Sequence, residues 1–316
     1  MPDTAWHIIE VVVMLLLPLL MAGGLTVVER RLLGQLQDRY GPNRVGVMGE
    51  MQVLADAVKL LGKEDWIPPF ADRPVFVAAP AIILMSVLAS FAVIPLTSGF
   101  AVADLNVGLL FFLAMSSLGV YSVALAGWSS RSKYPLLGGL RAAAQLLGYE
   151  VFMGMSLLGV VMMAGSFDLS TIVEGQRGLW YVGPQFVGFV VFFIAGLAET
   201  RRTPFDLPEA ESELVAGYHA EYSAMKFGIF YVGEYLGITL VSALMTVLFF
   251  GGWLGPILPG WTWFLLKTSI LILVVIVVRA ALPRVRYDQL MSFGWKVMLP
   301  LTLINLLVTA AVILAT

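Results

Sequence analysis

Apolar residues fall into eight long runs, at about 8–28, 75–96, 105–128, 142–164, 184–198, 227–250, 264–282 and 297–315, separated by polar or turn-forming stretches. Crossing a hydrocarbon core of about 30 Å takes roughly 20 helical residues. Each run therefore predicts a transmembrane helix, the fifth being the shortest. One further segment has a different pattern. Met51, Leu54, Ala55, Val58 and Leu61 recur at helical spacing while Gln52, Asp56, Lys59 and Lys63 take the opposite stripe, which predicts a short amphipathic helix along the membrane surface. The first run reads as a permanent span rather than a secretory signal, because its flank MPDTAWH has no Lys or Arg and the pair Arg30-Arg31 follows the run instead. The fold class is an all-α polytopic membrane protein of about eight transmembrane helices plus a short amphipathic interfacial helix, a single integral membrane domain over residues 1–316.

With the N-terminus external, threading places seventeen of the nineteen Lys and Arg residues on the inner side and leaves Arg177 and Lys267 outside, as the positive-inside rule expects. Both termini are then external. The outer connections are short, with turns such as Thr97-Ser98-Gly99 and Gly255-Pro256. The inner ones, about 30–74 and 199–226, are long and polar, and function is expected there.

Composition narrows the function classes. The chain is 59% apolar and 13% charged, against about 45–50% and 25% in soluble proteins. A net charge of -2 gives no attraction to nucleic acid. Without cysteine, and with only His7 and His219 as histidines, the chain lacks the ligands for an iron–sulfur cluster, a thiolate zinc site or a multi-histidine haem. Nor is any connection large enough for a soluble domain. An aqueous catalytic unit must come from partners.

Three features carry chemistry. The amphipathic segment either seals the edge of the bundle or forms one lip of an opening through which an amphiphile arrives from the bilayer. The loop from Glu199 through Arg201, Arg202, Pro204, Phe205, Asp206, Pro208, Glu209, Glu211 and Glu213 to Glu221 is dense in acids interleaved with apolar residues. Asp206 is placed to cap a helix that has Pro208 in its first turn. Glu209 and Glu213 would form a like-charged i, i+4 pair on it, and close carboxylates raise one another's pKa. Finally, Glu150 is nine residues from Arg141 and Glu234 eight from Lys226, roughly 12–14 Å into the membrane at 1.5 Å per residue. An acid at such depth costs about 2.5–3.5 kcal/mol, and two at matching depth suggest a proton path, the alternative being protonated glutamates that hydrogen-bond neighbouring helices.

At these residues the chain resembles a known family. ERRLLGQLQDRYGPNRVG (29–46), ADAVKLLGKED (55–65), AETRRTPFDLPEAESEL (198–214) and RYDQLM (286–291) are similar to motifs of the H subunits of the proton-pumping NADH:quinone oxidoreductases, respiratory complex I, in their bacterial form. The resemblance spans essentially the whole chain. It implies a multi-pass protein of the bacterial cytoplasmic (inner) membrane, lying between hydrophilic-arm and membrane-arm partners and in contact with the lipid bilayer. It implies quinone as substrate, with flavin and iron–sulfur clusters held by partner chains. By motif position it implies a quinone tunnel involving Arg30, Arg39, Asp56, Lys59, Arg202, Phe205, Asp206 and Arg279. The implied proton path involves Glu150, Glu199, Glu209, Glu211, Glu213, Glu221 and Glu234. His219, Lys226, Glu10 and Lys267 receive no role. The homologous membrane anchor of membrane-bound hydrogenases shares the GluArgArg and ProPheAsp-type loops. The Gly41-Pro42-Asn43-Arg44-Val45-Gly46 turn and the LysGluAsp segment favour complex I. A self-sufficient cation or proton carrier is the third reading, but the inverted halves common in carriers are not evident.

Overall fold

A computed structural model describes the backbone of residues 2–209 and 211–315 and the side chains of 6–209 and 213–315. The helices are α1 (Pro2–Leu36), α2 (Gln52–Gly62), α3 (Arg73–Phe91), α4 (Gly108–Ser129), α5 (Lys133–Ala164), α6 (Leu169–Glu174), α7 (Phe186–Glu199), α8 (Glu211–Leu214), α9 (Ala224–Phe249), α10 (Gly260–Ala281), α11 (Tyr287–Phe293) and α12 (Leu299–Ala315). A π-turn, Gly294–Met298, joins the last two into one continuous helix. Among the described residues seven helices are long and apolar enough to cross a membrane, with Phe186–Glu199 a shorter apolar helix, in agreement with the eight runs. The fifth run is that short helix.

The helix ends extend past the apolar runs. α1 continues beyond residue 28 because Glu29, Arg30, Arg31, Leu32 and Leu33 favour helix. α5 starts at Lys133 rather than near 142, so Arg141 lies two turns inside it and Glu150 is nearer its middle than a count from Arg141 implies.

The bundle is built around α9, which packs against α1, α3, α7 and α10. Of its most apolar window 89% is buried, against 17% for the terminal helix. Small residues permit this: a side chain at Gly233 would press on Ile83 of α3, and one at Gly196 of α7 would collide with Val241 of α9. The connections segregate to two ends. At one, Thr97–Phe100 bridges the α3–α4 turn and Lys267 donates to the Phe250, Gly252 and Leu254 carbonyls of the turn after α9. At the other lie the charged loops. The α2 helix lies at that end across α1 and α9.

Candidate functional site

The interior of the charged end is organised by Glu29 on α1, Arg202 in the loop after α7, Glu234 on α9 and Arg279 near the end of α10. Arg202 Nη1 donates to Glu29 Oε1 at 2.9 Å, and its Nε lies 2.8 Å from Glu234 Oε1. Arg279 donates to the same Glu29 oxygen. The Arg202 guanidinium also sits over the Tyr235 ring, 4.5 Å from its centroid, a cation–π arrangement. Glu29, Arg202 and Glu234 are all buried. Buried charges are tolerated where they are paired. Burial alone would lower the Arg202 pKa, but the Glu234 and Glu29 carboxylates outweigh it and hold it above its ordinary value. Among the described residues, Glu29 Oε2 and Arg202 Nη2 are enclosed without a hydrogen-bond partner.

On the far side of Tyr235 a cleft opens between α1, α2 and α9, enclosing about 990 Å³ with open solvent included. Its floor is apolar, with Ala22, Gly23, Val53, Leu60 and Phe227, and its polar lining is Thr26, Arg30, Asp56, Lys59, Tyr231 and Tyr235. Arg30 donates to Asp56 at 2.7 Å. Burial pushes Asp56 up, but the hydrogen bonds from Arg30 and Gln52 outweigh it and leave the carboxyl below its ordinary pKa. The two tyrosine hydroxyls are 3.2 Å apart. The outward stripe of α2, with Leu54, Val58 and Leu61, is exposed.

Opposite the cleft, a cavity lined by Ser116, Glu199, Thr200, Arg201, Gly233 and Glu234, among others, separates Glu234 from Glu199. Ser116 of α4 lies 3.0 Å from Glu199 Oε1 and 3.5 Å from Glu150 Oε1, and Ser117 lies 3.3 Å from Glu150 Oε2. Cleft, Tyr235, Arg202, Glu234, cavity, Glu199 and Glu150 thus succeed one another across the bundle.

The acidic loop departs from its sequence expectation. Among the described residues no helix starts at Pro208. Asp206 accepts from Arg284 at 2.8 Å rather than capping, and α8 is only Glu211–Leu214, so Glu209 and Glu213 are not an i, i+4 helical pair. The loop folds back on itself, and Gly217, at φ 59°, fits because any side chain would strike the Pro208 carbonyl. Glu213 turns outward to Arg141 at 2.5 Å. Glu209 lies 3.8 Å from His219 Nδ1. Burial, with the nearby Glu234 and Asp206 carboxylates, pushes the Glu209 pKa up to about 8 against the pull of Arg201 and Arg202. Burial and the Arg201 charge bring His219 down to about 4. Burial also raises Asp206, although Arg284 opposes it. Glu221 is half-buried, and the Glu211 side chain lies outside the described residues.

Of the tunnel candidates, Arg30, Asp56 and Lys59 share the cleft, while Arg202 and Arg279 meet at Glu29. Buried Phe205 packs against Tyr149, 5.8 Å between ring centroids. Arg39 is exposed and donates to Gln37, apart from the others. Glu29, Tyr231, Tyr235 and Ser116 carry no role in the sequence reading. Glu29 was masked by the basic pair beside it, although it continues the buried stripe of Ala22, seven positions before. Lys226 pairs with Asp65, His7 with Glu10 at 2.9 Å.

Residues 9–310 match the family described as NADH dehydrogenase. The chain is 62% identical over 303 residues to the H subunit of NADH-quinone oxidoreductase from Methylococcus capsulatus, covering 96% of each chain.

Proposed function

From the premise that the chain belongs to the NADH dehydrogenase family, as an H subunit of NADH-quinone oxidoreductase, complex I, we propose that it forms much of the quinone tunnel and carries protons away from it. It is a multi-pass membrane component of an oxidoreductase complex and is not catalytic alone. Its place in the bacterial inner membrane, as one integral domain, follows the same reading. The charged loops face the hydrophilic arm and the apolar bundle faces other membrane-arm subunits.

One observation carries the proposal: the cleft between α1, α2 and α9 reaches Tyr235, and directly behind its ring stand Arg202 and Glu234. An apolar floor with a few converging polar groups suits an amphiphile with a polar head. The isoprenoid tail of a quinone would lie along Ala22, Val53 and Phe227 while Arg30, Lys59 and the tyrosines face its head on the way inward. Reduction of a quinone to a quinol takes up two protons with two electrons. Where neighbouring protein groups supply those two protons they are left more negative, and Arg202, held between Glu29 and Glu234, carries that change to Glu234. Glu234, Glu199 and Glu150 then provide successive acceptors.

Glu234→Gln keeps the side-chain volume and removes the titratable proton. In the assembled complex it should lower both quinone reduction and proton pumping while NADH oxidation by a hydrophilic acceptor survives. Full quinone reduction and full pumping in that variant would refute the path.

A further inference from the structure

We propose that Ser116 is the proton relay between Glu150 and Glu199, an inference that rests on the reading of these acids as a proton path. A helical serine or threonine usually turns its hydroxyl back to a carbonyl on its own helix, as Ser90, Thr239 and Thr246 do here. Neighbouring Ser117 has such an acceptor in the Leu113 carbonyl, at 3.1 Å. Ser116 has none among the described residues. Its Oγ is directed into the space between α5 and α7, where its partners are the two carboxylates, at 3.0 and 3.5 Å. The α4 helix contributes no acid of its own, so its contribution at this point is the hydroxyl.

A hydroxyl holds one proton and accepts through two lone pairs. Between two ionised carboxylates it can satisfy only one. The other contact would set two electron-rich oxygens against each other inside a low-dielectric bundle. The arrangement is satisfied when the pair Glu150 and Glu199 holds one proton. Glu199 Oε2 is enclosed with no partner among the described residues, so Ser116 is the donor that stabilises charge at Glu199. The transfer balances without any ionised serine. The Glu150 carboxyl gives its proton to Ser116 Oγ as the Ser116 hydroxyl proton passes to the Glu199 carboxylate. One proton has moved, and rotation of the hydroxyl resets the relay. Run in reverse, the same steps carry a proton from Glu199 to Glu150, the direction in which these acids succeed Glu234.

The test compares Ser116→Thr, Ser116→Val and Ser116→Ala in the assembled complex in membrane vesicles. Thr and Val have nearly the same shape and differ in the hydroxyl. Ala leaves space that a water from the adjoining cavity can occupy. Quinone reduction and pumping should be near wild type in Thr and intermediate in Ala. In Val they should fall about tenfold or more, since a positioned proton-transfer group contributes roughly 10²–10⁴-fold to its own step. The solvent deuterium isotope effect on quinone reduction should rise in Val and not in Thr. NADH oxidation by ferricyanide gives the amount of intact complex for each. Equal activity in Thr and Val, or Ala as the worst variant, overturns the relay and leaves a packing role. If Val does not assemble, Thr against Ala decides: equal rates and equal isotope effects overturn it. Glu150→Gln and Glu199→Gln separate the two levels. If both retain full activity the proton path itself fails, whereas if they are impaired and Val is not, only the relay fails.

Discussion

Glu29 and Arg202 meet at 2.9 Å across 173 positions of sequence, and the second side of the same guanidinium faces Glu234 and the Tyr235 ring. One planar cation thereby joins α1 to α9 through the loop after α7.

That geometry makes Arg202 intolerant of lysine. A single ammonium cannot reach two carboxylates on different helices while also lying flat on an aromatic ring. In Arg202→Lys, quinone reductase activity in the assembled complex should fall at least several-fold, with NADH:ferricyanide activity retained. Arg202→Ala should also reduce the amount of complex assembled, since breaking a buried pair costs about 3–5 kcal/mol. Wild-type quinone reduction in the lysine variant would show that charge alone suffices.

Gln145 fixes the loop that carries Arg202 and Phe205. Its Nε2 donates to the Ala198 and Phe205 carbonyls at 2.9 Å each, from a fully buried position on α5. Gln145→Leu retains the bulk and strands the Phe205 carbonyl, while the Ala198 carbonyl keeps the Arg201 N–H, at about 1–3 kcal/mol for the buried group left unsatisfied. The expected signature is an altered quinone KM and weaker binding of tunnel inhibitors, because Phe205 loses its tether while the tunnel-lining residues are unchanged. An unchanged KM and inhibitor response would mean the loop is held elsewhere.

The outward stripe of α2 bears on how quinone arrives. Leu54, Val58 and Leu61 are 59%, 68% and 68% exposed, while Asp56 and Lys59 line the cleft. An aspartate at Val58 would lift the helix from the acyl boundary, since each turn of an interfacial helix is held by its buried apolar area. Val58→Asp should raise the KM for a long-tailed quinone more than for a short-tailed, water-soluble analogue. Equal effects on both would place the damage inside the tunnel.

The spans and the amphipathic helix were legible because their signals are local: long apolar runs and a 3.6-residue period. The Arg30–Asp56 meeting was within reach too, as both residues sit in recognisable motifs. What sequence reasoning missed depends on tertiary direction. Glu29 points inward while Arg30 and Arg31 do not, and nothing in the triplet itself says which. Ser116 looks like any helical serine until its hydroxyl is seen to avoid its own helix. The expected helix at Pro208 did not form because Asp206 found Arg284, a partner 78 positions away, and local capping rules yield to such a contact. The start of α5 at Lys133 was not legible either, because Arg141 and Lys133 are polar positions carried on the helix itself.

Glu209 provides a pH signature with a definite sign. Its carboxyl is raised from an ordinary 4.5 to about 8, by burial first and then by the Glu234 and Asp206 charges, against Arg201 and Arg202. His219 beside it, lowered to about 4, is neutral across the working range and does not titrate there. A carboxyl raised in the folded state favours its neutral form. Its contribution to stability is fully present below the unfolded value near 4.5 and is lost as pH rises through about 8. Near neutrality Glu209 is therefore protonated, and raising the pH through 8 places a new negative charge beside Glu234. Quinone reduction by the assembled complex should show an alkaline limb with a midpoint near 8. Glu209→Gln should flatten that limb while leaving the rate at pH 6.5 within about twofold of wild type, since an amide stands in for the neutral acid. An ionised residue at this site throughout the range would give the opposite result: the glutamine variant would be slow at pH 6.5 and its alkaline limb unmoved.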